Sequence, residues 1–285
     1  MDLQSIQEKQ YQSWDLQDKD ADKIKALLDN SGKYESLEMK EAFADGFKGW
    51  WYGTIYHDQI VCAAYITKQY VYLCGRDRDA MMSMGKSLGR AQGKRSSSTT
   101  HSVFGTNDMV QAFWQGFQIT GKQVVTDQKL NLYALNEVAC DQNTAYAVKV
   151  ATKKDFALVF DFLGAAFIDE LGMDVRRVGK ESHEKYCQQM IASGTILLGY
   201  HREKPAFVTT FKESPVGIFV EHPYFPVAMR RPKVMRGIHA RVAELLLEQS
   251  STILLYNDIT NEETQAAYDE VGYQLQSAFR LMRLR

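Results

Sequence analysis

Three runs rich in β-branched and aromatic residues, WWYGTIY from Trp50, IVCAAYI from Ile60 and YVYLCG from Tyr70, follow one another with only the short connections Asp58-Gln59 and Thr67–Gln69 between them. A parallel crossover needs a dozen or more residues, so connections this short confine the three runs to an antiparallel meander. The same signature returns later as TILLGY, AFVTTF and GIFVEH. Before each trio stand helical segments, at Ala21–Leu28 and Leu37–Phe47 in the first half and at Lys153–Glu170 and Ser182–Ala192 in the second. After each come a helix, a strand, a second helix and a last strand. In the first half these are Asp79–Gln92, the strand ending at Phe104-Gly105, a helix for which Asn107 is the expected N-cap, and KLNLYAL from Lys129. In the second they are Arg236–Glu248, STILLYND, NEETQAAYDEVGY and QLQSAFRLMRL. Two copies of one topology, without visible sequence repetition, are the simplest account.

A chain of 285 residues suits two domains of this kind. The polar stretch Asn136–Thr144, between two alternating apolar runs, is the best boundary. The expected division is 1–140 and 141–285. Each domain is expected to be α/β (α+β), a mixed, mostly antiparallel sheet flanked by helices.

A net charge of −1 gives no global positive field, so DNA is not an expected partner. Cys62, Cys74, Cys140 and Cys187 are too scattered for a disulfide framework and read as reduced thiols. The histidines lack metal-ligand spacing, so no metal is expected. Met1–Asp20 is polar, and no run approaches the ~18 apolar residues of a membrane span. A cytoplasmic protein with no membrane partner is expected.

From Lys149 onward, the order of elements and several strings resemble the GNAT superfamily of N-acyltransferases. In LLYNDITNEETQAAYDEVGYQLQ, a strand ends at Asp258, Asn261 opens a helix, Tyr268 follows seven residues on, and Gly272-Tyr273 closes the segment. FIDELGMDVRR (Phe167–Arg177) resembles the acidic turn of a tandem GNAT subgroup. YLCGRDRDAMMSMGKSLG, SVFGTNDMVQAFWQGF and DQKLNLYAL resemble that subgroup's degenerate first domain.

The resemblance implies acyl transfer from acetyl-CoA or another acyl-CoA to the amine of a small molecule or amino acid. It places the coenzyme against Val227, Met229, Val234, Met235, Arg236, Gly237, Ile238, His239 and Asn261. In the family, an Arg/Gln-x-x-Gly-x-Gly/Ala run turns main-chain amides onto the pyrophosphate. Here Val234, Gly237 and His239 stand at the three positions, so two depart. Arg230, Arg231, Lys233 and Arg236 are available to replace a lost phosphate contact of ~1.5–3 kcal/mol. His239 would crowd the pyrophosphate unless its ring swings away or the register shifts to Ala240.

Tyr268 matches the family's thiolate-protonating tyrosine, and Glu221, at a strand end, is the expected base. The expected oxyanion donor is an amide near Val227–Met229. His222 and His239 are rival bases. Two other readings stand beside this one. A Fem-type transferase of the same tandem fold would take its acyl group from aminoacyl-tRNA, using the basic Arg230–Arg236 run. A non-catalytic module of the fold would bind a metabolite or a protein. Gly85-Lys86-Ser87 is set aside as a P-loop because it lies in a helical segment and Ala80 replaces the required glycine. The basic tract Gly89–Arg95 reads as a solvated turn.

Overall fold

The computed structural model describes residues 11–46, 49–92, 102–140 and 145–285. Its elements run β1 (Gln12–Asp15), α1 (Ala21–Asp29), α2 (Leu37–Ala44), β2 (Trp50–Tyr56), β3 (Gln59–Ile66), β4 (Tyr70–Gly75), α3 (Arg78–Gln92), β5 (Ser102–Thr106), α4 (Asn107–Phe117) and β6 (Val124–Leu135). They continue with β7 (Tyr146–Val150), α5 (Phe156–Leu171), α6 (Val175–Val178), α7 (Lys180–Ala192), β8 (Ile196–His201), β9 (Lys204–Ser214), β10 (Gly217–Tyr224), α8 (Pro232–Leu247), β11 (Ile253–Asp258), α9 (Glu262–Val271) and β12 (Gln274–Leu284). No helix among the described residues is long and apolar enough to cross a membrane.

The chain forms two compact units, residues 1–130 with 277–285 and residues 131–276. The division differs from the expected 1–140 and 141–285. β6 runs past the point where the first unit ends, and most of β12 belongs with the first unit.

In the first unit the strand order is β1-β2-β3-β4-β5-β12. β1 to β4 are antiparallel neighbours, β4 and β5 are parallel, and β5 is antiparallel to β12. Alternation along the strands sorts the side chains onto two faces. Trp51, Ala63 and Cys74 pack with Ile24, Leu28 and Met39 of α1 and α2. Tyr52, Cys62, Ala64 and Leu73 pack with Met81, Met84, Val110 and Phe113 of α3 and α4. α3 and α4 cross on two glycines: a Cβ on Gly85 would lie 2.2 Å from the Phe113 carbonyl oxygen, and one on Gly116 would lie 2.0 Å from that of Met82.

Two expectations in this unit change. Thr106, the extended last residue of β5, takes the N-cap position of α4, and Asn107 is already helical. Of the basic tract, Gly89–Gln92 complete α3, while Gly93–Arg95 and the serines after them lie outside the described residues.

The second unit repeats the plan with the strand order β6-β11-β10-β9-β8-β7. β7 to β10 form an antiparallel meander, and β10 then pairs with β11 in parallel. One face carries Leu197, Phe207, Ile218, Val220 and Leu255 against α8 and α9. The other carries Ile196, Leu198 and Val208 against Val159 and Leu163 of α5 and Cys187 and Ile191 of α7.

Candidate functional site

The parallel pairing of β10 with β11 covers only Ile218–Val220 against Ile253–Leu255, although β10 continues to Tyr224 and β11 to Asp258. Beyond Val220 and Leu255 the two strands form no ladder, and a wedge opens in the sheet. On its other side β10 is irregular: its register against β9 shifts between Glu221 and Tyr224. His222 sits there at φ 53°, a left-handed conformation uncommon for a residue with a side chain. The hydroxyls of Thr209 and Thr210 hold this bulge by donating to the Glu221 carbonyl at 2.8 and 3.2 Å.

α8 begins at Pro232 rather than at the expected Arg236. Proline lacks an amide hydrogen and its fixed φ suits a first helical position, so it starts the helix one turn early. The amides of Arg236, Gly237, Ile238 and His239 are consequently spent on main-chain carbonyls inside the helix and are not turned toward a ligand. Gly237 serves packing, since a Cβ there would lie 2.2 Å from the Tyr146 ring. Val234, Met235 and Ile238 are buried in the core.

His239 resolves the crowding problem by turning inward. It is 1% exposed, between the rings of Phe207, Phe225 and Tyr268, and its Nε2 has no partner. Burial pushes its pKa down to about 3, so the ring is neutral and unfit to exchange protons with solvent.

Of the four cations near this helix start, Arg230 pairs with Asp169 and donates to the Phe225 carbonyl, and Arg236 pairs with Glu270 at 2.6 Å. Arg231 and Lys233 are exposed. Val227 is also exposed, whereas Met229 packs on the core with its amide engaged by the Pro226 carbonyl at 2.7 Å. That amide is therefore not free as an oxyanion donor.

Tyr268 lies in α9, fully buried in the same cluster as Val220 and Leu255, the residues at which the wedge begins. Its ring touches those of Tyr133, His239 and Tyr273, and its hydroxyl has no hydrogen-bond partner. Burial raises its pKa far above the ordinary phenol value, so it holds its proton. Asn261 caps α9, its side chain accepting from the Thr264 amide at 3.3 Å. Gly272 ends the helix at φ 108°.

Glu221 and His222 both face α5 and α7. Glu221 pairs with Lys212 at 3.1 Å. His222 Nδ1 lies 2.7 Å from Glu170 Oε2, and its ring meets the Phe167 ring. Burial lowers the His222 pKa, but the hydrogen bond and charge of Glu170 outweigh it and the net shift is upward. Glu170 went unnoticed in the sequence because nothing local links it to a residue fifty-two positions away. A groove of about 540 Å³ at the other end of α8 is lined in part by Glu137, Glu244 and Glu248, side chains that repel an anionic ligand.

No family model matches the sequence, and no curated protein matches it. Solved structures do. An acetyltransferase from the GNAT family of Colwellia psychrerythraea aligns at TM-score 0.60 and 11% identity over 96% of this chain and 100% of that one. A GCN5-related N-acetyltransferase from Sphaerobacter thermophilus aligns at 0.63 and 12% over 96% and 95%. A tandem GNAT protein from the clavulanic acid biosynthesis pathway aligns at 0.55 and 10% over 96% and 98%. At these identities the likeness is one of fold, and it spans both units: the chain shares the tandem GNAT fold.

Proposed function

We propose that the second unit transfers an acyl group, most simply acetyl, from acyl-CoA to the amine of a small molecule or amino acid in the cytoplasm. The observation that carries this reading is the unpartnered, buried hydroxyl of Tyr268, which belongs to the same core cluster as Val220 and Leu255, the last paired residues before the wedge. A buried hydroxyl without a partner costs about 1–3 kcal/mol and is rare unless something uses it. A thioester sulfur entering the wedge would supply that partner.

The residues fit the coenzyme at the start of α8 rather than in its second turn. The helix dipole there is positive, and Arg231 and Lys233 are exposed beside it. Thioester chemistry comes from the coenzyme; the chain contributes position and protons. Tyr268, kept protonated by burial, donates to the sulfur as the carbon–sulfur bond breaks. Asn261 acts here through its cap, by fixing the first turn of the helix that carries Tyr268.

The same burial that leaves the Tyr268 hydroxyl unpartnered also favours a second reading, a non-catalytic module in which that hydroxyl meets no ligand. Thiol release from acetyl-CoA with a panel of primary amines separates the two. Acyl transfer requires amine-dependent release that falls roughly 10- to 1000-fold in Tyr268→Phe with coenzyme binding kept. Stabilisation by acetyl-CoA without release of thiol would leave the binding module. The aminoacyl-tRNA reading loses support from the basic run, because Arg230 and Arg236 are already paired with carboxylates.

A further inference from the structure

We infer that His222, oriented by Glu170, is the general base that takes the proton from the acceptor ammonium, in place of Glu221. This deepens the acyl-transfer reading and rests on it. In a regular strand His222 would share a face with Ile218 and Val220, which pack toward α8 and α9. The left-handed bulge turns it instead onto the α5 and α7 face, where it meets Glu170 and Phe167. A residue with a side chain held at φ 53° carries strain, and such strain gathers where a side chain must be aimed. The bulge falls two residues beyond Val220, where β10 leaves β11, so His222 stands at the wedge.

Proton chemistry separates the two candidates. The Glu221 carboxylate is held by Lys212 at 3.1 Å, and its carbonyl by Thr209 and Thr210. His222 donates Nδ1–H to Glu170, which fixes the tautomer and leaves Nε2, without a protein partner, as the acceptor. Other charged and titratable groups around this face are Lys212 on β9, Glu221 on the same strand, Tyr186 on α7, and Asp169 on α5, which is tied to Arg230. Burial pushes the Tyr186 hydroxyl up to about 12, with Thr210 as its hydrogen-bond partner, so it stays neutral.

The ammonium gives one proton to His222 Nε2, and Glu170 stabilises the imidazolium. The freed amine attacks the thioester carbonyl carbon, forming the C–N bond. The tetrahedral adduct collapses with rupture of the C–S bond, and the sulfur takes a proton from Tyr268. Tyr268 recovers that proton from the nitrogen, and His222 releases its own to solvent, leaving amide, thiol and one proton.

The test is the pH profile of thiol release from acetyl-CoA with a panel of primary amines, in wild type, His222→Asn and Glu170→Gln. Asparagine tolerates the left-handed conformation, so the bulge is kept. In wild type the rate should rise with pH along a limb set by deprotonation of His222. His222→Asn should lose about 100-fold in kcat, with KM for acetyl-CoA held within about two-fold, lose the limb, and recover part of the rate with added imidazole. Glu170→Gln, which removes the charge that raises the histidine, should move the limb to lower pH. NMR titration of the His222 ring should report the same shift in the absence of turnover. An unchanged limb in His222→Asn, or a ring titration indifferent to Glu170→Gln, overturns the assignment and leaves acyl transfer standing. Wild type that releases no thiol with any amine overturns both.

Discussion

Tyr268 and His239 share one buried cluster, each with a polar atom that has no partner, and Tyr268 is expected to set function against stability while His239 bears on stability alone. Tyr268→Phe removes an orphaned hydroxyl and should raise unfolding stability by about 1 kcal/mol while lowering turnover, a combination that urea titration beside a rate assay would expose. A loss of stability would mean that the hydroxyl has a partner in solution. For His239 the sign follows from linkage. The unfolded chain takes up a proton near pH 6.5, whereas the folded one resists until about 3. Stability is therefore complete above about pH 6.5 and falls by about 1.4 kcal/mol per pH unit on acidification toward 3. Unfolding free energies from urea titration at pH 7.5 and 5.0 should differ by about 2 kcal/mol more in wild type than in His239→Leu. At this scale the sequence was informative about residue identity and poor about direction. Tyr268 stood out by its spacing from Asn261 and Gly272, but whether His239 faced a phosphate or the core depended on a helix start four residues upstream of the expected one.

Elements were legible wherever periodicity and punctuation agreed. The meander from Trp50 to Gly75 and the cap pair Asn261 and Gly272 reappear at the expected positions. The expected start at Arg236 passed over Pro232, which is the first residue of α8. The bulge at His222 left one local sign, Pro223, a residue that sheets admit only at edges, strand starts or bulges, but nothing in the sequence showed which side chain it would turn. The GKS triplet illustrates the reverse case: its glycine is there for the α3–α4 crossing. Adding a methyl group at the floor of that crossing forces the backbones apart. Gly116→Ala should destabilise the first unit by about 1–3 kcal/mol or more, measured by denaturant unfolding. An effect within ±0.5 kcal/mol would show that the helices separate freely.

Over the whole molecule, the repeated order of elements was enough to predict two related units, but not to assign the last strand. Residues 277–285 belong to the first unit, where Phe279–Arg283 pair with Thr106–Ser102 and where Met282 and Leu284 enter the core. Long-range strand pairing of this kind has no signature in local periodicity. Deleting residues 277–285 should therefore unfold the first unit, seen as rapid proteolysis within residues 11–130, whereas an intact, protease-resistant first unit would contradict the division.

The proposed placement of the coenzyme at the start of α8 is tested most directly by calorimetric titration of acetyl-CoA into wild type and the double variant Arg231→Ser, Lys233→Ser. Both side chains are exposed, so their removal should leave the fold intact. Saturable binding by wild type, weakened about 10- to 100-fold in the double variant, is the expected result for the loss of charge-assisted phosphate contacts. No binding by wild type, or equal affinity in the two proteins, would contradict it.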